Sequence, residues 1–151
     1  MHHVSIFKSN IVVMKHLKLR ISVIILVGID ILSKYFFYNL KYLNETSLIL
    51  PVLNTWISRS LPVPFILMIT ISVVGIGAFI WLFATKKIGR WITALLIAGT
   101  AGNLIDRFIY GWVRDFINIW LFDFPIFNFA DIMLSVWVWI RILSIMLEKK
   151  K

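Results

Sequence analysis

From Pro64 to Thr85 the chain runs for 22 residues without a charged side chain. A helix rises 1.5 Å per residue, so about 20 apolar residues cross a hydrocarbon core of about 30 Å. A run this long and this apolar has few places to go except into a bilayer. Three further segments have the same character: Ile21–Tyr38, which ends in the aromatic sequence YFFY, Trp91–Ile109 and Phe127–Leu147. Composition points the same way, since 60% of the residues are hydrophobic and 15% charged, where a soluble domain carries about a quarter charged. The expectation is an all-α membrane protein forming one integral membrane domain over residues 1–151, with spans at about 21–38, 64–85, 91–109 and 127–147.

The basic residues set the expected topology. Lys8, Lys15, Lys18 and Arg20 precede the first span, Lys86, Lys87 and Arg90 lie between the second and third, and Lys149, Lys150 and Lys151 close the sequence. Four spans put all three patches on one side. The positive-inside rule makes that side, with both termini, cytoplasmic. The net charge of +9 then needs no nucleic-acid partner, and membrane lipids are the expected surroundings. The first span follows a basic region, as a signal peptide would. No small-residue cleavage motif follows it, and Asp30 and Lys34 interrupt it, so it reads as retained. Residues 1–13 read as loosely attached, with Met14 as an alternative start.

Two loops are expected on the far side. The first, about Asn39–Val63, holds short apolar runs broken by Asn and Pro, which predict strands and a small sheet outside the membrane. The second, about Tyr110–Ile126, alternates aromatic and aliphatic residues and has the composition to lie flat on the membrane surface.

Several chemistries are poorly served. There is no cysteine, and the three histidines (His2, His3 and His16) all precede the first span. Thiol catalysis and sulfur ligation are excluded, and a zinc hydrolase lacks its HExxH helix. The reading expects no metal and no cofactor.

The acids are informative because only seven exist. Counting helix rise from the basic anchors puts Asp131 about 27 Å up, and Asp106 and Arg107 about 24–26 Å up, while Asp30 is about 15 Å from Arg20, near the midplane. Asp115 lies beyond a whole span from Arg90. Charge inside a span is costly and raises a functional question by default. Asp30 and Lys34 are spaced i,i+4, and a structural ion pair is the simpler account. Asn103, Asp106 and Arg107 share a helix with Gly99 and Gly102, whose small size permits close packing. That stripe reads as a helix contact with a polar end, where Arg107 is suited to hold a carboxylate. Asp123, between Phe122 and Phe124, reads as a solvated loop acid. Asp115 and Asp131 end one outer segment and begin the next span at matching depth, with Asn128 one turn before Asp131. Two carboxylates that share a proton activate water.

Other assignments stay open on these residues alone. Ser33 and Lys34 are a Ser–Lys combination, although adjacent helix positions diverge in direction. A small multidrug-type transporter would use Asp30 near the midplane. A structural subunit would use none of them.

The stretches GTAGNLIDRFIYGWVRDF (Gly99–Phe116) and FPIFNFADIMLS (Phe124–Ser135), with IDILSKYF in the first span, resemble the lipoprotein signal peptidase family, signal peptidase II. That family carries GN-x-x-DR, (V/I)-x-DF and FN-x-AD segments in this order, and the likeness covers essentially the whole chain. The resemblance implies a metal-independent aspartyl protease of the bacterial inner membrane with four spans, a small extracytoplasmic sheet and a surface amphipathic helix. Its site would face the extracytoplasmic side. Its substrate would be a prolipoprotein, cut just before the diacylglyceryl-cysteine to release the signal peptide. Asp115 and Asp131 fall on the catalytic positions. Asn54, Asn103, Arg107 and Asn128 fall on positions that line the substrate pocket, and Asp30 and Lys34 match the D-x-x-x-K pattern. Three residues depart from the family pattern: Trp56 where glycine is usual, Arg59 nearby, and Arg114 where an apolar residue usually precedes the aspartate. Adjacency on a strand lets Arg114 point away from Asp115.

Overall fold

A computed structural model describes residues 2–39, 48–54, 64–119 and 124–148. In chain order the elements are helix α1 (His2–Lys34), which continues into a π-helical turn (Tyr35–Asn39), strand β1 (Ile49–Asn54), helix α2 (Phe65–Ala84), helix α3 (Arg90–Tyr110), strand β2 (Val113–Ile117) and helix α4 (Phe129–Glu148). Four segments, Val13–Tyr38, Phe65–Ala84, Arg90–Tyr110 and Phe129–Glu148, are long and apolar enough to cross a membrane. The expected spans agree with them to within a few residues, except that the first segment begins eight residues earlier than Ile21 at Val13. Its helix starts earlier still, running unbroken from His2 through the stretch that read as loosely attached.

Helix α3 is the centre of the bundle. In the most apolar 18-residue stretch of α3, 44% of the residues are buried, against 11–17% in the corresponding stretches of the other three spans, and the helix packs on α1, α2 and α4. The outer three helices leave large apolar side chains uncovered, among them Ile24, Ile66, Val74, Trp81, Trp139 and Met146. In water such a surface would drive aggregation, whereas lipid chains accept it.

The small residues on α3 permit this centrality. A methyl group at Gly99 would lie 2.6 Å from the Ala130 carbonyl oxygen, and one at Gly102 would collide with the Asp30 carboxylate. Here α4 and α1 approach the α3 backbone more closely than any larger residue allows. The helix stops at Gly111, whose φ of 80° places it in the left-handed region, and the Gly111 N–H returns to the Arg107 carbonyl at 2.9 Å. That cap turns the chain directly into β2.

Beyond one end of the bundle, β1 and β2 pair antiparallel, with Val52 opposite Asp115, Leu53 opposite Arg114 and Asn54 opposite Val113. The pairing register shifts between Ile49 and Val52, around Pro51, as expected for a residue without an N–H to donate. Phe127 adds a bridge to Ile117, exchanging N–H···O bonds of 2.8 and 3.1 Å. The chain that enters α4 is therefore tied to β2.

A small sheet was expected from the first outer loop, and β1 does come from it. The second loop departs from expectation. Val113–Phe116 do not lie flat on a surface but form a strand that is buried residue for residue. Among the described residues there is no separate surface helix. The described order of elements leaves Trp56, Arg59 and Asp123 outside the described residues.

Candidate active site

Asp115 and Asp131 reach the same place from different elements. Asp115 is the third residue of β2 and is 1% exposed. Asp131 sits in the first turn of α4. Asn128 joins them. Its side-chain amide donates to Asp115 Oδ1 at 2.6 Å, while its backbone N–H donates to Asp131 Oδ2 at 3.1 Å. In return the Asp131 N–H donates to Asn128 Oδ1 at 3.1 Å. This is the reciprocal arrangement of a capping box: Asn128 caps α4, and the carboxylate three residues on closes the motif. The local rule that starts the helix thus also aims Asp131.

Two more amides complete the setting. Asn54 Nδ2 donates to Asp115 Oδ2 at 2.7 Å. Asn54 lies two residues beyond Val52, the partner of Asp115, so the two side chains share one face of the ribbon diagonally. Asn103 Nδ2 donates to Asp131 Oδ1 at 2.9 Å. Its Oδ1 accepts from Asn128 Nδ2 at 3.1 Å and from Lys34 Nζ at 2.9 Å. The ammonium group therefore fixes which way the Asn103 amide faces, since only the oxygen can accept from Lys34.

Asp30 and Lys34 form the ion pair that their spacing predicts, at 2.8 Å, with both side chains fully buried. The pair does more than neutralise charge. Lys34 also lies 3.5 Å from Asp106, and Asp30 Oδ1 accepts the Ala130 N–H at 2.9 Å, holding the first turn of α4 beside Asp131. Ser33 donates its hydroxyl to the Asp30 carbonyl at 2.7 Å, so it is not aimed at Lys34 as a Ser–Lys dyad requires.

Arg107 is placed differently from the carboxylate holder that the sequence suggested, and Arg114 has a partner that the sequence did not reveal. Among the described residues, the ion pairs within 4 Å involve Lys34 and Arg114, not Arg107. Arg107 lines a cavity of about 240 Å³ between α2, α3 and α4, with Asn103 on the same wall and Met68, Ile71, Phe79 and Leu134 supplying apolar lining. Asn103 thus borders the cavity and touches Asp131. Arg114 does point away from Asp115, and it points at Asp106. Its Nη2 donates to Asp106 Oδ1 at 2.8 Å, and its Nε and backbone N–H donate to Oδ2 at 3.3 and 3.0 Å. The sequence reading missed this pair. The sequence offers only an aspartate and an arginine on either side of Gly111, and nothing in it says that the chain turns there to bring them together.

Electrostatics distinguish Asp115. Burial first, and then the charge of Asp131, push its carboxyl from the ordinary value up to about 6, against the hydrogen bonds from Asn54 and Asn128 and the charge of Lys34. Burial opposes the charge on Arg114, but its hydrogen bonds to Asp106 and the Asp106 charge outweigh that, and its pKa lies above the usual arginine value. Two carboxyl groups, Asp115 buried and Asp131 half-buried, bridged by the side chain and the backbone of one residue, form an arrangement able to share a proton and polarise a water. Among the described residues no group of three or more His, Cys, Asp or Glu side chains converges as a metal site would need.

Known proteins provide the comparison. Residues 9–147 match the family described as signal peptidase (SPase) II. A lipoprotein signal peptidase of Thermodesulfovibrio yellowstonii is 32% identical over 135 residues, covering 82% of this chain and 90% of that protein. One from Staphylococcus carnosus is 37% identical over 93 residues, covering 58% of this chain and 57% of that protein; that match spans little more than half of the relative. A bacterial membrane enzyme solved by the in meso method at 2.3 Å resolution superposes with a TM-score of 0.70 at 25% identity, covering 87% of this chain and 89% of the other. The matched range takes in all four apolar helices and both bridged carboxylates, and with it the chain belongs to the signal peptidase II family of lipoprotein-processing membrane proteases.

Proposed function

We propose that this chain is an aspartic endopeptidase of the bacterial inner membrane. It removes the signal peptide from lipid-modified prolipoproteins by cleaving before the diacylglyceryl-cysteine, with Asp115 and Asp131 as the catalytic pair. The observation that carries the reading is the Asn128 bridge, which hydrogen-bonds both carboxyl groups from one residue. The orientation is the one the basic patches favour, with both termini cytoplasmic and the sheet end, where the carboxyl groups lie, outside.

The chemistry follows from a pair holding one proton. The ionised carboxylate takes a proton from a water molecule, whose oxygen attacks the scissile carbonyl carbon. The protonated partner donates to the carbonyl oxygen. The resulting gem-diol collapses with proton transfer to the departing amine, and the C–N bond breaks. The proton belongs to the pair as a unit. The rise of the Asp115 carboxyl to about 6 lets the pair keep its proton to higher pH than ordinary carboxyl groups do. Asn54, Asn103 and Asn128 hold the two carboxyl groups in register, and Asn103 and Arg107 meet the substrate backbone at the cavity. The apolar lining of that cavity suits a substrate that arrives from the bilayer. The alternative of a transporter built on Asp30 finds little support in a carboxylate already engaged by Lys34 and the Ala130 N–H.

The test is cleavage of a lipid-modified prolipoprotein by the purified chain, run beside its Asp131→Asn variant and with a chelator. Turnover that survives chelation and disappears in the variant supports the proposal. Turnover by the variant at the original rate, or turnover abolished by chelation, overturns it.

A further inference from the structure

Arg114 is buried to 5% exposure on a strand whose next residue is Asp115. An arginine is rarely hidden to this degree unless its charge is matched. Here one carboxylate, Asp106, takes three hydrogen bonds from it, two from the guanidinium and one from the backbone N–H. The guanidinium also stacks over the Tyr110 ring at 4.5 Å. Both the main chain and the side chain of Arg114 are thus locked to α3, one residue before the carboxyl group on which the proposed chemistry rests.

Charge adds a second role. The titratable groups that interact with Asp106 or with its partner Arg114 are Asp30, Lys34 and Tyr38 from α1 and its π-helical turn, and Arg107 and Tyr110 from α3, while Asp115 and Asp131 interact with Arg107 and Asp115 also with Lys34. Within this set Asp30, Lys34, Asp106 and Arg114 form a closed cluster through contacts of 2.8–3.5 Å, two carboxylates against two cations. The cluster touches the catalytic pair through Lys34 and Asn103. Without the guanidinium it would hold one uncompensated negative charge, facing Asp115 and Asp131 across a medium that screens poorly.

We propose that Arg114 is a positioning residue for the peptidase reaction: it pins the Asp115 strand to α3 and keeps the buried cluster beside the catalytic pair electrically neutral. The inference rests on the assignment of Asp115 and Asp131 as that pair.

The test compares pH–rate profiles of the full chain in detergent with a lipid-modified prolipoprotein peptide. Arg114→Met removes the cation and keeps the stem, so the profile moves to higher pH by about half a unit or more, because added negative charge favours protonated carboxyls. Asp106→Asn leaves excess positive charge and moves it to lower pH. The double variant returns close to the original profile, and Arg114→Lys keeps the profile position while lowering kcat through the lost fork. Where Arg114→Met does not accumulate, Arg114→Gln carries the same test, and the Asp106→Asn arm stands alone. Profiles that stay in place in these variants, or that move in the same direction for Arg114→Met and Asp106→Asn, overturn the proposal. Activity retained by Asp115→Asn would overturn the catalytic assignment instead, so the two failures are distinguishable.

Discussion

Asn128 lies 2.6 Å from Asp115 through its side-chain amide, and it is also the residue that opens the helix carrying Asp131. One side chain thus serves the fold and the site together. Replacing Asn128 with alanine removes the helix cap and the bridge. The cap alone is worth about 1 kcal/mol, and activity is expected to fall by about a hundredfold as the two carboxyl groups lose their common reference. Asn128→Asp retains a capping oxygen but adds a third negative group, so its thermal stability should stay closer to that of the parent while activity is lost. Melting temperatures in detergent with initial rates on a prolipoprotein check both. Equal activity in the two variants would contradict this account.

Removing either carboxylate should be far more severe. Asp115→Asn and Asp131→Asn are each expected to lower kcat/KM by at least about a thousandfold, with the protein still inserted at normal levels. Asp123→Asn, in a stretch outside the described residues, is expected to change rates by less than about twofold, as surface changes usually do. Membrane abundance by immunoblot and peptide cleavage by mass spectrometry supply the comparison.

The raised pKa of Asp115 carries a stability consequence with a definite sign. Burial, then the charge of Asp131, lifts the carboxyl to about 6 in the folded state, above its unfolded value near 4. The folded protein therefore binds this proton more tightly. The stabilising contribution is complete below pH 4 and is lost as pH rises through 6, and it amounts to about 3 kcal/mol at most. The stability difference between the parent and Asp115→Asn should change across that window, with the parent losing ground as pH rises. A difference that stays constant from pH 4 to 7 would show that the carboxyl is not perturbed.

The close contact of α3 with α4 gives a packing test. A methyl at Gly99 meets the Ala130 carbonyl oxygen at 2.6 Å, whereas one at Gly77 has nothing within 4 Å. Gly99→Ala must therefore separate the helices beside Asp131, with an expected cost of about 1–3 kcal/mol and a matching loss of activity. Gly77→Ala, on a lipid-facing position, should be neutral or stabilising by about 0.5–1 kcal/mol. Melting curves of the two variants in the same detergent decide it.

The spans were legible because apolar length dominates all other signals in such a chain, and Phe65–Ala84 and Arg90–Tyr110 lie within one residue of the segments read from hydropathy. The start of α1 was not, because beyond the bilayer a helix continues without any apolar signature to mark it. The pairing of β1 with β2 was hidden for another reason. It joins two loops distant in sequence, and the alternation of Val113–Ile117 suits a buried strand and a surface-lying segment equally well. The flanking motifs pointed to Asp115 and Asp131 as neighbours, and both do meet Asn128. The Asp106–Arg114 fork could not be read, since it depends on a left-handed turn at Gly111 that no periodicity reports.

The β1–β2 ribbon also dictates an order of events during biogenesis. Its first strand emerges from the ribosome before α2, yet finds no partner until α2 and α3 have been made and threaded. Asp115 then still waits for Asn128 and the helix behind it. On the proposed assignment, a nascent polypeptide halted anywhere before α4 lacks the paired carboxyl groups, and hydrolytic competence waits for the insertion of α4.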